Sequence, residues 1–357
     1  MAHFYPLLVT DIKQDTRDAV IVTLEPPEEA REKFDFIQGQ YLTFRRMFDG
    51  DEKRRSYSIC SGIEDGILRV GVKKVEDGWF SSWINDELEI GDTIDAMTPM
   101  GKFFTPIDPL SARHYIGFAG GSGITPMISL IKSMLNAEPH SRFSLVYANR
   151  SSSAIMFREE LEDIKNMNMG RLSITHILET QADVDLFSGR LDREKCDQLL
   201  SSWIDVDDVD LAFICGPQPM MLGVAAALKA RGMGKDAIKF ELFSSPHTGR
   251  AKKPIERSVD AATATCMATI IRDGTASQVK IQRGEKTVLE AALDANIDAP
   301  YSCTAGVCST CVARLVDGEV EMDANYSLED YEVKRGFILT CQSHPVTDKI
   351  VVDYDQQ

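Results

Sequence analysis

Four cysteines near the carboxyl end have the residue type and spacing for redox chemistry. Cys303, Cys308 and Cys311 fall in Cys-Thr-Ala-Gly-Val-Cys-Ser-Thr-Cys, four and then two residues apart, and Cys341 follows after a gap of 29. A C-x4-C-x2-C run with a distant fourth cysteine is the spacing that ligates a [2Fe-2S] cluster. Small residues between the ligands let the backbone wrap the cluster and point N–H groups at sulfur, and Gly306 adds conformational freedom. Zinc usually recruits paired C-x2-C knuckles or Cys with His, and here Cys308 and Cys311 alone make such a pair. One-electron chemistry is the expectation.

Other motifs suit a flavin and a nicotinamide nucleotide. Arg55, Tyr57 and Ser58 end a strand and could offer a guanidinium to a pyrophosphate, an aromatic face to an isoalloxazine ring and a hydroxyl to its edge. Gly78, Trp79, Phe80 and Ser81 read as a turn opening a helix, whose N–H groups could take a second phosphate. Gly120, Gly121 and Gly123 lie in Gly-Gly-Ser-Gly-Ile-Thr-Pro between a strand and a helix, where glycine lets the backbone approach a dinucleotide pyrophosphate. After the strand ending Val146-Tyr147-Ala148 come Asn149, Arg150 and Ser151, with no acidic residue for a ribose 2′-hydroxyl. Arg150 and Ser151, with Arg158 one or two turns into the next helix, suit a 2′-phosphate and hence NADPH rather than NADH. Cys215-Gly216-Pro217 ends another apolar strand, and its small thiol could lie beside a nicotinamide without blocking it. Phe240-Glu241-Leu242-Phe243 closes this region, with Phe243 as an aromatic cover for the flavin.

The elements that must position these groups follow from pattern. Residues 1–108 read as short alternating strands punctuated by glycine and acidic turns, an antiparallel β-barrel for the flavin. Residues 109–244 change to apolar strand, glycine turn and helix, an α/β domain with a parallel sheet. Residues 245–263 are polar, basic and poor in large apolar groups, so they read as a linker on which the last domain swings between flavin and acceptor. Residues 264–357 read as a small α+β domain carrying the cluster loop, with a hairpin over 264–288, a short helix over 289–296 and a closing strand over 349–354.

Composition sets bounds. The net charge of −16 disfavours nucleic acid as a partner. The last domain holds fifteen Asp and Glu against eight Lys and Arg, an acidic face able to steer a basic acceptor. No stretch reaches the roughly 18 apolar residues of a membrane span, and the first residues lack the features of an export signal, so a cytoplasmic protein with no membrane partner is expected. Its eight cysteines then suit a reducing compartment, with Cys60, Cys196 and Cys266 as packing residues.

Taken in order, the motifs resemble the ferredoxin-NADP reductase superfamily fused to a C-terminal plant-type ferredoxin domain of β-grasp fold, over nearly the whole chain. The resemblance implies FAD in the barrel, NADPH on the α/β domain and [2Fe-2S] at the end, with a multisubunit di-iron oxygenase as electron acceptor. It carries flavin contacts to Val72 and Lys73 as well as Arg55, Tyr57, Ser58 and Gly78 to Ser81. It places Thr125 and Cys215, with Gly216, at the nicotinamide. FMN in place of FAD, another oxygenase or desaturase as acceptor, and a non-catalytic redox sensor are the competing readings.

Overall fold

The computed structural model describes residues 3–180, 184–242, 265–306, 308–325, 327–328 and 330–356. The expected linker, 245–263, and Phe243 lie outside these residues.

The first domain contains β1 (Tyr5–Thr16), β2 (Ala19–Glu25), β3 (Tyr41–Phe48), β4 (Asp51–Ser58), β5 (Leu68–Lys73), α1 (Trp79–Asp86) and β6 (Thr93–Ala96). Its six-stranded sheet runs β4-β3-β6-β1-β2-β5. A bridge from Ile59, just past β4, to Val70 of β5 joins the two edges, so the sheet closes into a barrel.

The second domain follows as β7 (His114–Gly120), α2 (Ile124–Ala137), β8 (Arg142–Asn149), α3 (Arg158–Met167), β9 (Leu172–Leu178), α4 (Arg193–Ser202), β10 (Leu211–Gly216), α5 (Gln218–Ala230) and β11 (Ile238–Leu242). The strands are parallel in the order β11-β10-β7-β8-β9. They are apolar on both faces because both are covered: Tyr115, Phe143, Tyr147 and Phe213 enter one core, Ile116, Phe118, Val146 and Ile214 the other. The chain leaves β7 toward β8 and later returns to β7's other side with β10. The carboxyl ends of β7 and β10 therefore flank the switch point at which open α/β sheets bind ligands.

Strand β2 joins these two domains. Val20, Val22 and Leu24 point into the barrel core, whereas Ala19 and Ile21 pack with Met127, Tyr147 and Phe157 of the second domain. An ion network adds to the joint, with Lys132 bonded to Asp65 and, at 3.0 Å, to Glu160, which Arg69 also holds at 2.7 Å.

The third domain comprises β12 (Thr265–Arg272), β13 (Thr275–Gln282), α6 (Val288–Asp294), β14 (Val312–Asp317), β15 (Val320–Met322), α7 (Asp330–Lys334), β16 (Phe337–Leu339), β17 (Ser343–Pro345) and β18 (Lys349–Asp353). The sheet order is β13-β12-β18-β14-β16, with β15 and β17 as a separate ribbon. The last strand is thus central, parallel to β12 and antiparallel to β14. Thr287 and Glu290 cap the start of α6 reciprocally. The α+β cluster domain expected from the sequence is present. By compactness the chain divides in two: barrel and nucleotide domain fall in one unit, and β12–β18 in the other together with the first residues and Arg54–Ser56. No helix among the described residues is long and apolar enough to cross a membrane.

Candidate functional site

On β4 the period of two puts Arg55 and Tyr57 on one face and Ser58 on the other. The three expected flavin residues therefore do not share a face. Tyr57 is half-buried, its ring 5.6 Å from that of Phe44. Arg55 donates through Nη1 to the Arg54 carbonyl at 2.7 Å. Ser58 is buried, and its hydroxyl donates to Glu241 Oε2 on β11 at 3.1 Å. Val72 is fully buried in the barrel core and its carbonyl accepts from Asn85 Nδ2 at 3.3 Å, so any part it takes in binding is through the backbone. Lys73 pairs with Asp18 at 3.5 Å.

Helix α1 opens at Gly78 with no side-chain cap. Ser81 donates to the Gly78 carbonyl at 3.2 Å and accepts from the Val75 N–H at 3.1 Å, which folds the turn tightly. A Cβ at Gly78 would sit 2.4 Å from Ser81 Oγ. Phe80 is buried against Phe48 and Trp83, while Trp79 is exposed. This uncapped helix start, closely approached by backbone, fits an anion such as a flavin phosphate.

At the switch point, the glycines divide into two roles. A Cβ at Gly123 would lie 2.1 Å from the Cys215 carbonyl, and one at Gly120 would lie 2.7 Å from Pro217 Cδ. Gly123 lets the start of α2 sit on the end of β10, while Gly120 and Gly216 make room for Pro217 and Met220 at the start of α5. Gly121 is different: its φ is +54° and the space beside it is open, which fits close approach of a pyrophosphate. Thr125 is buried, its hydroxyl donating to the Ser122 carbonyl at 3.0 Å.

Cys215 is fully buried, and burial, then the Glu241 carboxylate, pushes its thiol up, so it stays protonated. Burial likewise pushes Glu241 up to about 8, against a lowering by the Ser58 hydrogen bond. Ser58, Cys215 and Glu241 thus form one cluster drawn from both domains. Glu241 has a part here that its strand did not reveal. The available signal was a carboxylate next to the apolar residues Phe240 and Leu242, in a strand that also carries Lys239.

Farther along the sheet, Arg150 follows β8 and is exposed, while Thr180 fixes its loop by donating N–H and hydroxyl to the Arg150 carbonyl at 3.0 and 2.9 Å. Ser151 Oγ lies 3.0 Å from Ser153 Oγ. Arg158 is not one or two turns into the next helix: a short 3-10 turn, Ser152–Ala154, intervenes, and Arg158 is the first residue of α3, exposed behind Phe157. Buried Asn149, at the end of β8, has neither amide atom in a hydrogen bond of good geometry, an orphaned polar group where the nucleotide is expected.

In the third domain, the four cysteines lie in two interacting pairs, Cys303 with Cys308 and Cys311 with Cys341. Among the described residues no three His, Cys, Asp or Glu converge on a single ion. Four thiolates from one short loop and from Cys341 would hold a [2Fe-2S] cluster, whose usual ligands are four cysteines in this spacing. The hydrogen bond to its neighbour, followed by burial, pushes Cys308 and Cys311 well above an ordinary thiol. Donors already face the sulfurs: Ala305 N–H to Cys303 Sγ at 3.4 Å, Cys303 N–H to Cys308 Sγ at 3.5 Å, and Gln342 Nε2 to Cys341 Sγ at 3.6 Å. Cys60, Cys196 and Cys266 are buried in hydrophobic cores, as packing residues should be.

Comparison with known proteins gives three domain matches along the chain. An oxidoreductase FAD-binding domain matches residues 6–105, an oxidoreductase NAD-binding domain 118–226, and a 2Fe-2S iron-sulfur cluster binding domain 270–346. The chain is 39% identical over 356 residues to one of the subunits of 1,2-phenylacetyl-CoA epoxidase of Escherichia coli (strain K12), covering 99% of each. It is 32% identical over 355 residues to the ferredoxin reductase component of 3-ketosteroid-9-alpha-monooxygenase of Rhodococcus rhodochrous, covering 98% of this chain and 96% of that one. Phthalate dioxygenase reductase, a solved modular structure for electron transfer from pyridine nucleotides to [2Fe-2S], matches over 98% of both chains with a TM-score of 0.59 at 24% identity, a likeness of fold.

Proposed function

The chain belongs to the oxidoreductases that combine FAD-binding, NAD-binding and [2Fe-2S] domains as reductase components of oxygenases, and from that premise we propose that it takes electrons from NADPH and delivers them to a multisubunit di-iron oxygenase that epoxidises the ring of phenylacetyl-CoA. The full-length identity of 39% to a component of such an epoxidase carries this reading. The proposed boundaries are 1–108 for the flavin barrel, 109–244 for the nucleotide domain, 245–263 for the linker and 264–357 for the cluster domain. Its proposed place of work is the cytoplasm, in keeping with four cysteines assigned to the cluster and with Cys60, Cys196 and Cys266 buried as packing residues.

When bound, the flavin accepts electrons in pairs and releases them singly, which the one-electron cluster requires. The chain's own residues bind and align. Arg55 and the start of α1, Gly78 to Ser81, are assigned to the flavin phosphates, and Tyr57, Ser58 and the backbone of Val72 and Lys73 to its ring and ribityl chain. Gly120, Gly121 and Gly123 are assigned to the nucleotide pyrophosphate, with Phe243 as the flavin cover. Arg150, Ser151 and Arg158 supply the charge for a 2′-phosphate. Thr125, Gly216 and the small neutral thiol of Cys215 leave room for a nicotinamide, and Glu241 holds a proton on its carboxyl group beside Ser58 Oγ. Cys303, Cys308, Cys311 and Cys341 are assigned to the cluster.

Anaerobic titration with NADPH and with NADH, followed by visible absorbance and EPR, tests the electron path. NADPH should reduce both flavin and cluster at far lower concentration than NADH. Replacing Arg150 by Ala should weaken NADPH roughly tenfold, the worth of one charge-assisted contact, and leave NADH unchanged. Equal response to both nucleotides would remove the 2′-phosphate assignment. Turnover with the phenylacetyl-CoA epoxidase oxygenase, compared with the 3-ketosteroid oxygenase, decides the acceptor.

A further inference from the structure

Cys303, Cys308 and Cys311 are kept close by one loop, but Cys341 arrives across a gap of 29 residues. Something outside the loop must therefore hold Cys341 against Cys311. Thr340, the residue before it, makes that junction. Its N–H donates to the Cys311 carbonyl at 3.2 Å, and its hydroxyl donates to the same oxygen at 2.9 Å. The N–H bond simply continues the antiparallel ladder of β14 and β16, in which Val312 faces Leu339. The hydroxyl bond is extra, and it depends on the side chain.

That hydroxyl has a lone pair left, and the Tyr354 hydroxyl donates to it at 2.9 Å. Tyr354 lies just past the central strand β18, and its own N–H is bonded to the Ile271 carbonyl on β12 at 3.0 Å. The Thr340 carbonyl in turn accepts the Leu289 N–H of α6 at 3.0 Å. Thr340 is 0% and Tyr354 1% exposed, so bulk water cannot replace either bond.

We propose that Tyr354 and Thr340 form a hydrogen-bonded strut, from the sheet centre to the Cys311 carbonyl, that positions Cys311 and Cys341 as a pair and sets how firmly the [2Fe-2S] cluster is held. Both are positioning residues, and the proposal rests on the assignment of the four cysteines as ligands. The phenol ring also fills core space, but ring packing alone would not require its oxygen.

The test uses the full-length protein with its cluster, measuring cluster loss to excess chelator by visible absorbance, iron content, and the EPR signal of the reduced cluster. Tyr354→Phe keeps the ring and removes only the hydroxyl. It should speed cluster loss about fivefold, as expected for one net hydrogen bond, and broaden the EPR signal. Thr340→Val should be worse, because it breaks the strut twice and leaves the Tyr354 hydroxyl without its acceptor. Thr340→Ser should stay near the unaltered protein. The double variant Tyr354→Phe with Thr340→Val should lose cluster no faster than Thr340→Val alone, since both changes cut one chain. Flavin content and NADPH-driven flavin reduction should not move. A Tyr354→Phe variant with normal retention and EPR signal, or fully additive effects in the double variant, would overturn the strut. Purified unaltered protein that takes up no iron would overturn the ligand assignment itself and the strut with it.

Discussion

A carboxyl group partly shielded from water beside a buried hydroxyl and a buried thiol loses more hydration on ionising than one hydroxyl returns. Glu241, held by Ser58 Oγ, is accordingly pushed up from 4.5 to about 8. The sign of the stability effect follows from proton counts. Between those values the unfolded chain has released the proton while the folded chain keeps it, so stability falls as pH rises through the window and levels off above it. Glu241→Gln removes the titration and should flatten the dependence between about pH 5 and 8, as read from urea unfolding at several pH values. Parallel curves for the two proteins would mean that Glu241 ionises normally. Only part of this cluster was legible in the sequence. Ser58 and Cys215 each stood in a motif with a recognisable chemical use, but Glu241 lies 183 residues from Ser58 and nothing on its strand announces that partner. The same limit explains Arg158, whose position depends on a 3-10 turn that helical periodicity does not register.

At the scale of elements, the glycine turn after β7 reads in the sequence as one device for a nucleotide, and the fold divides it into two. Gly123 is glycine because α2 packs directly on the end of β10, whereas Gly121 is glycine because its φ is +54°. The two can be separated by alanine substitution. At Gly123 the new methyl would lie 2.1 Å from a backbone carbonyl that cannot move aside, so helix and strand must part. Overpacking of that kind costs about 3 kcal/mol. At Gly121 the methyl meets open space and the cost is left-handed strain, about 1 kcal/mol. Urea unfolding should therefore rank Gly123→Ala well below Gly121→Ala in stability, while Gly121→Ala is the variant that weakens nucleotide binding in an otherwise folded protein. The opposite ranking would show that the glycines have been assigned the wrong way round. The strands and helices were largely legible from alternation, apolar runs and the cysteine spacing. Which glycine serves packing and which serves a ligand was not, because that depends on an element that comes about ninety residues later.

At the scale of the whole molecule, three domains need not mean three folding units. The run Ala19-Val20-Ile21-Val22 is apolar at every position because successive side chains of β2 enter two different cores, one in the barrel and one in the nucleotide domain. Removing either domain would expose one of those faces. The half-buried network of Lys132, Asp65, Glu160 and Arg69 spans the same joint, and Lys132→Met would leave Asp65 and Glu160 with Arg69 as their shared cation. By contrast, among the described residues the core of the cluster domain runs from Cys266 to Tyr354. Calorimetry should accordingly resolve two transitions. FAD at about a hundred times its dissociation constant would stabilise the first by about 2.7 kcal/mol and leave the second in place. Chelating the iron should lower the second and leave the first, because ligand binding stabilises only the unit whose folded form it recognises. Lys132→Met should lower the first alone. If FAD and chelator both moved a single transition, the cluster domain would be coupled to the rest through more than its own core; if three transitions appeared, the shared strand would not be binding barrel and nucleotide domain into one unit.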